Sequence, residues 1–145
     1  MKRTLKVSAL LLSLVMLITL TACTKGTEKE EGISQLWENA LYTEDTTFGE
    51  GEKTVQVEVQ ADEESVTFTV NTDKETLADA MLEHSLIVGE DGPYGIYIKT
   101  VNGISADYDV DGYYWSVCKD GEYLMTGADT TVIADGEHYE FIRTK

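Results

Sequence analysis

Two runs of strict alternation, "TVQVEVQ" at 54–60 and "SVTFTVN" at 65–71, constrain this chain more than any other feature. Val55, Val57 and Val59 fall on one side of the first run, and Val66, Phe68 and Val70 on one side of the second. A period of two sends successive side chains to opposite faces, so each run reads as a half-buried strand. The polar "ADEE" between them is a tight turn, which makes the pair a hairpin. The period then changes. In "TDKETLADAMLEHSLI", Leu77, Ala80, Met81 and His84 recur at helical spacing. This predicts a helix of about three turns, capped at Thr72 or Asp73 and ending near Ser85. "YGIYIKTVNGI" is the next strand, followed by "GYYWSVCK" and "EYLM" joined through "KDG", an Asp-Gly hairpin signal. "DTTVIA", an Asp-Gly turn at 135–136 and "HYEFIRT" complete the pattern as further strands.

Hairpin, helix, then several strands is an α+β order, that of a β-grasp-like mixed sheet with one packed helix, placed at 53–145. Upstream, "GISQLWENALY" spaces Ile33, Leu36, Trp37, Ala40 and Leu41 along one helical face. It predicts a short helix, which with a connecting segment occupies 33–52. No internal repeat is present.

The first residues are organised differently. "MKRTLK" is basic, and "VSALLLSLVMLITL" after it is apolar but short for a membrane span. The run ends "LTAC", with Leu20 and Ala22 three and one positions before Cys23. This resembles the lipobox of bacterial lipoproteins. The resemblance implies a signal peptide at 1–22, a diacylglyceryl group on Cys23 and a mature chain that starts there. Acyl chains contribute roughly 0.8 kcal/mol per buried CH₂, so such an anchor holds the protein on the outer face of a membrane. Residues 23–32 carry the lipidated Cys and an acidic tether. Its nine residues after Cys23 span roughly 15–20 Å as flexible coil.

Charge excludes several partners. The leader holds three of the 11 Lys and Arg and none of the 27 Asp and Glu. Residues 23–145 therefore carry eight bases against 27 acids, a net charge of −19. A field of that sign repels nucleic acid and anionic headgroups and favours a soluble monomer. With Cys23 assigned to the anchor, Cys118 has no partner, and no disulfide supports the fold.

Over about residues 50–145 the chain is similar to the domain of unknown function DUF4430, found in surface lipoproteins of Firmicutes. The residues that carry the resemblance are "VNGI" (Val101–Ile104), "YYW" (Tyr113–Trp115), "TGAD" (Thr126–Asp129) and "ADGEHYEF" (Ala134–Phe141). That family is in turn similar to the C-terminal β-domain of transcobalamin and intrinsic factor. The resemblance implies a ligand-binding β-grasp domain on a Gram-positive envelope. It implies a face that covers one side of a corrin ring, with Trp115, Leu124, Thr126 and Gly127 as the carried-over candidates and Tyr114 beside them. A flat, partly apolar ligand needs an aromatic or aliphatic platform, and Gly127 permits close backbone approach. Transcobalamin closes the other side with a helical barrel for which this chain has no counterpart.

Alternation places Tyr113, Trp115 and Val117 on one side of their strand and Tyr114, Ser116 and Cys118 on the other. Val117 marks the first set as the core face and leaves the second half-exposed. Cys118 reads as a small buried hydrophobe. "ADYDVDG" supplies Asp107, Asp109 and Asp111 at the D-x-D-x-D-G spacing of a calcium loop. The bidentate Glu of such a loop is missing, since Cys118 holds its position, and an acidic turn is the alternative. No G-x-S-x-G, H-E-x-x-H, C-x-x-C or phosphate loop occurs, so the expectation is a non-enzyme without a required cofactor. The sequence thus points to a membrane-anchored small-ligand-binding protein, with cobalamin-like corrinoids as candidate ligands and a transporter or envelope protein as candidate partner. The alternative is a surface module that binds protein or glycan, or acts as a spacer.

Overall fold

The computed structural model describes residues 34–145. The leader, Cys23 and the tether lie outside the described residues. Strands β1 (Thr46–Phe48), β2 (Lys53–Ala61) and β3 (Glu64–Thr72) come first, followed by helix α1 (Leu77–Glu83). Strands β4 (Ile87–Gly92), β5 (Gly95–Val101) and β6 (Ile104–Ser105) precede a four-residue helix, α2 (Tyr108–Asp111). Strands β7 (Tyr114–Lys119), β8 (Glu122–Tyr123) and β9 (His138–Thr144) complete the chain. The architecture is α+β and mostly sheet. A six-stranded mixed sheet runs β1-β3-β2-β9-β7-β8, and a separate three-stranded sheet runs β4-β5-β6.

The hairpin forms as its alternation requires. β2 and β3 pair antiparallel from Lys53 opposite Thr72 to Ala61 opposite Glu64, around Asp62, whose φ of 55° suits a short polar side chain. Val55, Val57, Val59, Phe68 and Val70 are fully buried. β9 adds parallel to β2 and brings Tyr139 and Phe141 onto the same inner face, both at 0% exposure. Helix α1 covers that face with Leu77, Ala78, Ala80 and Met81.

The structure departs from the periodic reading at four places. The helix is a turn shorter than its periodicity suggests. Thr72 is still strand, its hydroxyl donating to Glu83 Oε2 at 3.1 Å, and the cap is Thr76, whose Oγ1 accepts from Asp79 N at 3.2 Å. "DTTVIA" is not a strand; it meets α1 through one bridge, Val132 with Thr76, and Leu77 N bonds Thr131 O at 2.9 Å. The "IVGEDG" segment, unassigned by periodicity, is β4, because β5 offers it a hydrogen-bonding edge.

The fourth concerns the N-terminal segment. Only Trp37–Asn39 is helical, as a 3₁₀ turn. Tertiary bonds take the backbone that a longer helix would use. Leu41 N donates to Asn102 O at 2.9 Å, and Asn102 Oδ1 and Nδ2 bond Tyr42 N and O at 3.0 and 2.8 Å. Trp37 is 2% exposed and its Nε1 donates to Ala61 O at 3.0 Å, so this segment belongs to the core, while Leu41 faces water. Asn102→Ala strands both polar groups of Tyr42 and places a Cβ-bearing non-Asn residue at φ 52°. It should destabilise the protein by about 2–4 kcal/mol in urea unfolding.

Candidate functional site

The site forms where an edge is left open. β8 pairs only with the end of β7, Cys118 with Tyr123 and Lys119 with Glu122, and Leu124 N reaches Val117 O at 2.9 Å. Beyond Leu124 the chain leaves β7, so the same edge from Tyr114 to Ser116 has no strand beside it. β5 faces it across a groove of about 310 Å³, lined by Ile96, Tyr97, Ile98, Tyr123 and residues 114–117, with Leu124, Thr126, Gly127 and Ala128 closing one wall. All five ligand candidates, Tyr114, Trp115, Leu124, Thr126 and Gly127, therefore meet in one groove. Ile96, Tyr97, Ile98 and Tyr123 also line it and carry no signal of their own as site residues in the sequence. Their strands are legible there, but not which edge of β7 faces β5.

Trp115 serves both core and groove. It is 7% exposed and packs in the core, with Tyr113 and Val117 against it. Its Nε1 is buried without a hydrogen-bond partner, a state that costs about 1–3 kcal/mol. The opposite side of β7 is less open than alternation implies. Ser116 is 7% and Cys118 2% exposed. The Ser116 hydroxyl donates to Ile142 O at 3.1 Å, and Cys118 lies between Glu140 and Tyr123 on the neighbouring strands. Burial, with Glu140 nearby, pushes the Cys118 thiol up, which keeps it protonated and unreactive at neutral pH.

A neighbouring carboxylate takes the space where a side chain at Gly127 would begin. A Cβ there would lie 2.5 Å from Asp129 Oδ1, and one at Gly95 would lie 2.6 Å from the same atom. The Asp129 carboxylate sits between the two glycines with Oδ1 buried and without a hydrogen-bond partner. Gly127 O accepts from Thr130 N, Thr130 Oγ1 and Thr131 Oγ1 at 3.1, 3.1 and 2.8 Å, and Thr126 Oγ1 lies 3.1 Å from Thr131 Oγ1. A side chain at Gly127 would therefore have to displace the Asp129 carboxylate.

The carboxylates of "ADYDVDG" are engaged otherwise than in a calcium loop. Asp107 caps α2 by accepting from Asp109 N at 3.2 Å and meets Lys99 Nζ at 3.2 Å. Asp111 accepts from Asp107 N and Tyr113 N at 3.2 and 2.9 Å and from Arg143 Nη2 at 2.9 Å. Asp109 is exposed on the helix. A helix, not a loop, occupies the motif, and no group of three or more His, Cys, Asp or Glu side chains among the described residues could hold a metal ion. Partial burial raises the Asp111 carboxyl, but the Tyr113 and Asp107 N–H groups and the Arg143 guanidinium outweigh it and hold the group below its usual range. Glu137 behaves alike: desolvation is opposed by Lys119, Tyr139 Oη and Ala134 N, and the net direction is down.

Frame, helix and groove define a small α+β domain with an aromatic cleft at a strand edge. Residues 74–141 match DUF4430, described as a domain of unknown function. The chain is 34% identical to a candidate metal-binding protein from Ruminococcus gnavus ATCC 29149, with a TM-score of 0.62 over 65% of this chain and 98% of that one. It is similar in fold to haptocorrin in complex with cobinamide, at 24% identity and a TM-score of 0.56, covering 68% of this chain and 26% of that one. The chain thus spans about a quarter of haptocorrin's length. No curated protein matches it. The chain belongs to the DUF4430 family.

Two outcomes follow from this geometry. Gly127→Ala should cost about 1–3 kcal/mol, and less in an Asp129→Ala background; a double-mutant cycle in urea reads the coupling. Asp111 and Glu137 lie below their ordinary values of 3.8 and 4.5 when folded. Their stabilisation is therefore complete above those values and lost as the pH falls through and below them. Urea midpoints should drop below about pH 4.5, and Glu137→Gln should flatten that decline.

Proposed function

We propose that this protein is a lipid-anchored, extracellular, non-catalytic binding protein whose groove takes a small ligand, with corrinoids as the favoured class. The observation that carries the reading is the convergence of Tyr114, Trp115, Leu124, Thr126 and Gly127 on a single groove. Hairpin, helix and a strand added parallel to β2 are consistent with a β-grasp domain, and the likeness to haptocorrin supports that fold. The chemistry suits a planar, amide-rimmed ligand: aromatic rings offer a platform, and the unpaired Tyr114–Ser116 edge offers main-chain donors and acceptors. The groove leaves one side of such a ligand uncovered, so a second protein, such as a transporter component, completes the enclosure. Lipidation at Cys23 would place the domain on the outer face of a Gram-positive membrane. The metal-binding description of the R. gnavus protein is not carried over, because Asp107 and Asp111 already face Lys99 and Arg143.

Titrating the full-length protein with cobinamide, followed by tryptophan fluorescence corrected for absorption, tests this. Saturable quenching is expected, weakened about tenfold by Thr126→Phe, which fills the groove from an exposed position. Absence of saturation up to about 1 mM, a binding free energy weaker than about −4 kcal/mol, overturns corrinoid binding.

A further inference from the structure

Proteins blunt open strand edges, and here most outer edges are blunted by length. β1, β6 and β8, each unpaired on one side among the described residues, run three, two and two residues. β4 is the exception. Among the described residues it pairs only with β5, and its outer edge runs six residues, with no Pro and no Lys among them.

Which main-chain groups reach that edge follows from the pairing. Asn102 N bonds Leu86 O at 2.7 Å, so the main chain of Leu86 faces β5. Lys99 is left unopposed where the register shifts, so the alternation along β4 itself is unbroken. Successive residues of a paired strand turn their N–H and C=O groups to opposite edges. Val88, Glu90 and Gly92 therefore bond towards β5, and Ile87, Gly89 and Asp91 turn outward. Ile87 is enclosed at 2% exposure, which leaves Gly89 and Asp91 accessible. These two present their donors and acceptors one strand repeat apart, about 6.8 Å. An extended backbone carries the matching groups at that spacing.

Charge selects the chain that supplies it. Asp91 is exposed, and the Glu90 carboxylate, 71% exposed, shares Lys99 with Asp107 at 3.2 Å each. Val88 beside them is 59% exposed and offers an apolar contact. A second copy of this chain is disfavoured at such an edge. Residues 34–145 hold six Lys and Arg against 24 Asp and Glu, so each copy brings a net charge of −18. A basic segment meets the opposite condition, since Lys stems cover Val88 while their ammonium groups reach Glu90.

We infer that the outer edge of β4 takes an extended, basic segment of a partner protein as an added strand, bonded through Gly89 and Asp91. The three-stranded sheet then gains a fourth strand. β5 lies between that edge and the groove, so the inference is independent of what the groove binds.

A short synthetic peptide of alternating Lys and Val, titrated into the full-length protein and followed by amide hydrogen exchange, tests this. Exchange at Gly89 and Asp91 should slow at saturation, with Val88 and Glu90 unchanged. The same peptide N-methylated at alternate amides keeps its charge and side chains, and should bind at least about tenfold more weakly. Asp91→Pro removes an outward N–H without touching the β4–β5 bonds, and should weaken the peptide more than Asp91→Asn, which removes only the charge. Equal affinity of the two peptides, saturation without the alternating exchange pattern, or no saturation up to about 1 mM overturns the inference. Slowed exchange at Gly89 and Asp91 that grows with protein concentration in the absence of peptide assigns the edge to a second copy, and overturns it too. Cobinamide should behave identically with and without the peptide. Competition between them would put the peptide in the groove and overturn the inference, whereas failure of cobinamide alone removes only the corrinoid reading.

Discussion

The central position of β2 is the constraint on which the rest of the structure depends. It is paired on both edges, antiparallel to β3 and parallel to β9. Its Val55, Val57 and Val59 are wholly buried. Burying side chains of that size contributes about 1.5–3 kcal/mol each. That face must be covered, and α1 covers it with the last strand beside it. The parallel β2–β9 pairing joins segments distant in sequence. Trp37, bonded to Ala61 O, seals the end of the same strand from the N-terminal side.

The groove is a by-product of an unfinished edge. β8 stops after two residues because the Thr126–Thr131 loop turns away to meet the start of α1, where Leu77 N and Ala78 N bond Thr131 O and Ala128 O at 2.9 Å. Tight hydrogen bonding within that loop and the Asp129 carboxylate lodged between Gly95 and Gly127 hold it there. An open strand edge is ordinarily a hazard for self-association. Here its shortness and the acidity of the chain limit that hazard, and the edge remains available to a ligand.

Acidity shapes the remaining chemistry. With few cations available, two of them brace the sheet: Arg143 ties β9 to α2 and the end of β6 through Asp111 and Ser105 O, and Lys119 joins Glu137. Asp107 and Asp111, which look like calcium ligands in sequence, are thereby paired with Lys99 and Arg143 at the ends of α2. Spacing alone could not reveal this, because Lys99 and Arg143 approach from other strands.

The sequence by itself determined the elements whose signal is periodic and local: the β2–β3 hairpin, the core face of α1, the β7–β8 turn at Asp120–Gly121 and the closing strand. It also determined a net charge that repels polyanions. Four of the groove candidates, Trp115, Leu124, Thr126 and Gly127, were legible through family resemblance, and Tyr114 through strand alternation. Tertiary structure alone decided the rest. A 3₁₀ turn replaced the expected helix because Asn102 bonds the backbone at Leu41 and Tyr42. "DTTVIA" became a loop because α1 takes its backbone bonds, and β4 became a strand because β5 lay beside it. Tyr97 and Tyr123 joined Trp115 only when β5 and β8 met β7. Strand alternation and turn residues act between near neighbours, whereas edges, caps and ion pairs depend on which distant segment arrives, and only the folded chain specifies that.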